Sequence, residues 1–143
     1  MDTDFDLKDF LPYVLNLAAE EASLSFQRHY KERYGMLRTE WRVLFHLGRY
    51  GEMTAKEICT RARIHKTKVS RAVAALEGRR FVRRKEVASD RRHALLSVTA
   101  QGRAAFQELF EKARAFDDQL AAQFSKEDEA VLRKCLRQLA KLE

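Results

Sequence analysis

Between His65 and Glu77 the chain reads HKTKVSRAVAALE, and Val69, Ala72, Val73 and Leu76 recur at i, i+3, i+4 and i+7. That spacing predicts a helix buried along one side. At about 100° per residue, Thr67, Ser70, Arg71 and Ala74 turn outward, flanked by Lys66 and Lys68. No acid occurs between Lys66 and Ala75. A solvated helix face ordinarily mixes both signs of charge. Here short hydroxyl and methyl side chains let the helix axis come close to a groove floor, with bases at the margins to neutralise phosphates on either wall. A basic, solvated helix on a globular domain is the alternative reading of the same stretch.

The charge distribution favours the groove. The chain carries a formal net charge of +7, but residues 54–93 hold thirteen Lys and Arg against four Asp and Glu, a net +9. The remainder is therefore slightly acidic. A basic excess confined to the middle of the chain points to a polyanionic partner for that part. With 143 residues, the chain is sized for one domain (1–143), and its five Gly and one Pro favour helix.

Asp9 precedes Phe10, Leu11 and Pro12, and a proline in a first turn suits a helix start. Leu11, Val14, Leu15, Ala18, Ala22, Phe26 and Tyr30 follow at threes and fours, predicting a long first helix that ends near Gly35. Thr39 is the expected cap of a second helix reaching about Tyr50, with Gly51 as its stop. Thr54 to Glu57 has the form of a capping box for a short third helix. Arg63-Ile64-His65 is then a tight turn into the two-faced helix, so helix, turn and helix form the usual unit for presenting a reading helix.

Beyond Leu76 the period changes. Residues 81–86 and 94–98 are short and rich in β-branched or large side chains, predicting a two-stranded hairpin with a basic tip across 87–93. Thr99 is the expected cap of a long helix with Phe106, Leu109, Phe110, Ala113, Phe116, Leu120 and Phe124 as a stripe. Ser125 to Asp128 reads as a second capping box, opening a last helix with Val131, Leu132, Cys135, Leu136, Leu139 and Leu142 on one side. The outer helices carry more apolar length than one small hairpin domain can cover. Either a bundle closes within the chain or, as we expect, two chains share it.

This order of elements resembles the MarR family of winged helix-turn-helix regulators over nearly the whole length. The most specific match is Ser89-Asp90-Arg91-Arg92-His93-Ala94-Leu95-Leu96-Ser97-Val98-Thr99-Ala100-Gln101-Gly102, similar to that family's D-x-R wing and the L-T-x-x-G start of its next helix. The pattern of Thr67, Val69, Ser70, Arg71 and Leu76 is similar too, though many regulator families share it. The resemblance implies a mainly α fold with a two-stranded β wing. It places a winged helix-turn-helix lobe at about 36–98 and dimerisation helices at about 9–34 and 99–143. It further implies a homodimer that binds a near-palindromic double-stranded DNA operator, mostly as a repressor, and lets go when a small molecule enters a cleft.

Carried over by position, Thr67, Ser70 and Arg71 would face base edges and nearby phosphates, and Lys66 and Lys68 would grip phosphates. Arg84 joins this surface. Asp90 would orient the wing, leaving Arg91 or Arg92 for the minor groove, where narrow A·T stretches concentrate negative potential. Two positions depart from the family's habit: Arg63 and Arg80 stand where glycine is common. If those turns keep a positive φ, each Arg costs on the order of 1 kcal/mol relative to Gly, and rearranged turns are the other outcome.

The family's cleft would fall among Phe26, Tyr30, Arg38, Trp41, Arg42, Phe45 and His46. Aromatic walls with one or two cations suit an aromatic carboxylate or its thioester. The same residues also fit a plainer arrangement, with Trp41 and Phe45 in the core, Arg38 and Arg42 on the surface and His46 satisfied locally.

Cys59 and Cys135 belong to no CxxC pair and lie at no metal-binding spacing, so we expect reduced thiols and no cofactor. Arg61 and Arg63 near Cys59 keep a thiol-based redox regulator as an alternative. The resemblance lowers it, because the family's peroxide sensors place a cysteine early in the first helix and none stands there. His29, His46, His65 and His93 are scattered, and no phosphate loop or nucleophile elbow is visible, so an enzyme is not expected. No apolar run reaches membrane length and the opening residues are acidic, which points to a cytoplasmic protein. A winged-helix module that binds protein rather than specific DNA is the remaining alternative.

Overall fold

Pro12 lies in the first turn of helix α1 (Leu11–Tyr34), where its missing N–H leaves no bond unmade. α1 stops at Gly35, left-handed at φ 66° and ψ 20°, whose N–H donates to the Lys31 carbonyl at 2.8 Å. The computed structural model describes residues 4–87 and 90–142. The side chains of 87 and 90–93 lie outside that description.

Helix α2 (Arg38–Tyr50) starts earlier than a Thr39 cap would allow. Leu37 is the capping residue, and the Glu40 carboxylate accepts the Leu37 N–H at 3.2 Å. A carboxylate can satisfy an unpaired first-turn amide and faces the positive end of the helix dipole, so it displaces the threonine from the role. Thr54 Oγ1 accepts the Glu57 N–H at 3.2 Å and opens α3 (Ala55–Ala62), as the capping pattern predicts. His65 Nδ1 accepts the Thr67 N–H at 3.2 Å and opens α4 (Lys66–Gly78). Val69, Ala72, Val73 and Leu76 on α4 are all buried.

Strands β2 (Val82–Val87) and β3 (Asp90–Val98) form the expected antiparallel pair, with Val82 opposite Val98 and Arg84 opposite Leu96. A third strand, β1 (Met53–Thr54), pairs with the far side of β3 at Leu96 and Leu95, so the sheet order is β1-β3-β2. Two residues are too few to show alternation, which hides β1 in the sequence. Thr99 Oγ1 accepts the Gly102 N–H at 3.0 Å and donates to the Arg80 carbonyl at 2.6 Å, fixing the start of α5 (Ala100–Ala121) against the turn before β2. Ser125 Oγ accepts the Asp128 N–H at 3.0 Å and opens α6 (Lys126–Ala140).

The chain falls into two compact units, one up to Phe110 and one from Glu111 onward. In the first, Val43, Leu44 and Leu47 of α2, Ile58 of α3, the α4 stripe, Leu96 of β3 and Leu109 of α5 make the core. α1 adds only Phe26 and Tyr30 to it and leaves Leu11, Val14, Leu17 and Leu24 exposed. In the second unit α6 buries none of its described residues, and Val131, Leu132, Leu136 and Leu139 remain exposed.

Both departures from glycine keep the left-handed backbone: Arg63 has φ 56° and Arg80 φ 63°. The turns are therefore retained, with arginine carrying the strain of a Cβ in that region. Arg63→Gly and Arg80→Gly should each raise stability by up to about 1 kcal/mol, read as a higher urea midpoint. A lower midpoint would mean that the contacts of the arginine side chain outweigh the strain.

Candidate functional site

With the apolar side of α4 buried, Lys66, Thr67, Lys68, Ser70, Arg71 and Ala74 are all left exposed. The sequence-derived set thus comes together on one helix face, convex and cationic. Arg84 of β2 is placed differently. Its Nη2 donates to Glu77 Oε1 at 2.9 Å, bracing the strand against the last turn of α4, so its charge is partly neutralised. Asp90, Arg91 and Arg92 lie on β3 by backbone, and their side chains lie outside the described residues.

At the same C-terminal end of α4, Arg79 forks onto the end of α1. Its Nη1 donates to the Tyr34 carbonyl and its Nη2 to the Gly35 carbonyl at 2.7 Å. Its Nε stands 3.7 Å from Oε1 of Glu40, a carboxylate oxygen that is buried and accepts no hydrogen bond. Neither residue was singled out in the sequence, yet a signal was there. Glu40 sits at i of the stripe Glu40, Val43, Leu44, Leu47. An acid on a buried face calls for a cation or strong donors.

The cleft lies in the same unit. Ser23, Phe26, Tyr30, Arg38, Trp41 and Arg42 line a hollow of about 210 Å³. Tyr30 and Trp41 stack, with centroids 6.0 Å apart and planes 15° from parallel, and Phe26 closes on Trp41 at 5.5 Å. Five of the seven expected residues therefore meet. Phe45 packs on Trp41 and also on Phe106 and Phe110, half-buried and outside the hollow. His46 turns away, its Nδ1 2.7 Å from the Arg42 carbonyl and its ring against Tyr50. Ser23, polar on a wall otherwise read as aromatic, was not anticipated.

Electrostatics divide the two cleft cations. Arg38 donates through both Nη atoms to the two oxygens of Glu20, each at 3.1 Å. The hydrogen bond and charge of Arg38 hold the Glu20 carboxyl below its ordinary range, and Glu20 raises Arg38 in turn. The pair is therefore intact at neutral pH, and Arg38 is released only as pH falls through the lowered Glu20 value. Burial raises the Tyr30 hydroxyl, with its hydrogen bond to Arg38 opposing, so Tyr30 stays a neutral phenol. Arg42 spends one Nη2 bond on the Ala62 carbonyl at 2.9 Å, linking the cleft wall to the end of α3. The cleft can offer stacking rings plus a guanidinium to a flat anion.

Cys59 is half-buried and Cys135 exposed. Among the described residues, no three His, Cys, Asp or Glu side chains gather as metal ligands would. No helix among them is long and apolar enough to cross a membrane.

Comparison with known proteins converges on one group. A model of the MarR family matches residues 34–93. The HTH-type transcriptional regulator YwoH of Bacillus subtilis is 31% identical over 97 residues, which span 68% of this chain and 70% of that protein. The crystal structure of the MarR family regulator SPO1453 from Silicibacter pomeroyi superposes with a TM-score of 0.84 at 28% identity, covering 96% of this chain and 98% of that one. BpsR of Bordetella bronchiseptica, whose DNA binding is regulated by 6-hydroxynicotinic acid, shares the fold with a TM-score of 0.85 at 17% identity, covering 97% of this chain and 99% of that one.

Proposed function

Because this chain belongs to the MarR family of transcriptional regulators, we propose that it is a homodimeric, sequence-specific binder of double-stranded DNA, acting in the cytoplasm as a repressor that a small aromatic anion releases from a near-palindromic operator. Its family and fold are those of regulators and not of enzymes. The observation that carries the DNA reading is α4: a buried apolar stripe behind an exposed face that bears no acid from Lys66 to Ala75. In this reading residues 36–98 are the DNA-binding lobe. Thr67, Ser70 and Arg71 meet base edges, Lys66 and Lys68 hold phosphates, and the wing from Arg84 to Arg92 reaches the flanking minor groove.

Dimerisation rests on the apolar side chains left uncovered on α1 and α6. Leucines standing in water along a helix are the usual mark of a missing partner, and two-fold pairing of chains would double the half-sites read. The effector reading rests on the aromatic cleft and its two guanidinium groups.

Fluorescence-anisotropy titration against the gene's own upstream region should give tight binding that weakens steeply as salt rises, because released counterions drive it. Equal affinity for random duplex would reduce the protein to a nonspecific binder. Sedimentation should return twice the chain mass. 6-Hydroxynicotinic acid serves as the first effector probe, and a releasing probe should lose potency in an Arg42→Met variant, since Arg38 is held by Glu20 at neutral pH.

A further inference from the structure

The clamp between Arg79 and the end of α1 has no part in the reading so far. Its geometry is specific. One guanidinium reaches two successive carbonyls, Tyr34 and Gly35, and faces a carboxylate oxygen, on Glu40, that is buried without a hydrogen bond. Those carbonyls end α1 and Glu40 begins α2, while Arg79 directly follows the last residue of α4. The guanidinium lies close over Gly35, where a Cβ would meet it at 3.5 Å, an ordinary contact distance. Beside the fork, the Tyr34 ring packs edge-on against Phe81 at 5.7 Å. Between Arg79 and Phe81 the chain passes through Arg80, held left-handed at φ 63°. The exit of α4 is thus pinned, at a sharp turn, by two hydrogen bonds and by the pairing of the exposed Arg79 with the buried Glu40 carboxylate.

We propose that Arg79 is a positioning residue for DNA reading: its clamp on Glu40 and the α1 carbonyls fixes the angle at which α4 projects. This rests on α4 being the DNA reader. A planar fork suits the task because it constrains direction as well as distance, which an ammonium does not. A helix free to pivot about its exit would keep its charges, and with them its nonspecific affinity, but would spread its base contacts over several geometries.

The test removes the clamp without leaving a charge buried. Glu40→Met with Arg79→Met replaces an ion pair by apolar groups of similar length and leaves the net charge unchanged. Binding is measured to a duplex selected by the wild-type protein and to a shuffled duplex of equal composition, beside amide exchange across residues 66–78. The double variant also loses the Glu40 bond to the Leu37 N–H, so its urea midpoint should fall slightly, while its shuffled-duplex affinity stays at the wild-type value. It should lose about tenfold on the selected duplex, roughly the cost of one mismatched base pair, and exchange faster along α4. Arg79→Lys, which keeps the charge opposite Glu40 but cannot serve both carbonyls, should fall between, and it carries the test if the double variant does not fold. Wild-type preference together with wild-type exchange would overturn the clamp. If the wild-type protein itself fails to prefer the selected duplex, the DNA reading falls, and the exchange comparison alone decides the clamp.

Discussion

Gly102→Ala is expected to destabilise the protein by about 2–3 kcal/mol, although alanine is the better helix former by about 1 kcal/mol in an open position. A Cβ at Gly102 would lie 2.0 Å from the Phe81 carbonyl oxygen, 2.8 Å from its carbon and 2.9 Å from Val98 Cγ1. The obstructing atoms are backbone, so no rotamer change relieves the overlap. α5 must move away from the turn before β2, and the Thr99 N–H to Phe81 carbonyl bond of 3.0 Å goes with it. Thermal unfolding should show the midpoint lowered by roughly 5–10 °C. Gly78→Ala is the control, since a Cβ there meets nothing within 4 Å. The same substitution at that helix end should be neutral or slightly stabilising. If both variants behave alike, the close approach at Gly102 is not what constrains the site.

Arg71→Ala should weaken binding to the selected operator by about ten- to a hundredfold, the 1–3 kcal/mol typical of a bidentate base contact, while leaving the fold intact. Arg71 is exposed at the centre of the acid-free face, with Val69, Ala72 and Val73 buried behind it, so its removal opens no cavity. The loss should be largest for one base pair of each half-site and should flatten when that pair is changed. A uniform loss on every duplex, with a shallower salt slope, would reassign Arg71 to phosphate. Unchanged binding would favour a protein-interaction role for the lobe.

The parts legible in the sequence share one property: they depend on near neighbours along the chain. The α4 stripe, the Thr54 and Ser125 caps and the Gly35 stop need only residues within one or two turns. The wing and the Thr99 to Gly102 start of α5 were legible as a motif, and the structure supplies its physics. Thr99 caps the Gly102 amide, and Gly102 lets the helix touch the Phe81 carbonyl. What escaped notice is long-range. Glu40 and Arg79 meet across 39 positions, and β1 acquires its identity only from β3. Glu20 carries no signal in the sequence, because an acid one helix away from Arg38 looks like any solvated charge until the two are brought within 3.1 Å. The family resemblance puts Phe45 and His46 in the cleft, but the α2 surface turns them onto α5 and onto Tyr50 instead.

The placement of β3 in the middle of the sheet has a further consequence for solubility. It leaves β2 as an open rim, six residues long, whose free backbone amides are a standing invitation to pair with another molecule's strand. Arg83, Arg84, Lys85 and Glu86 stand exposed along that rim. Such a charged fringe repels a second sheet, so engineering it toward neutrality would carry a risk of self-association.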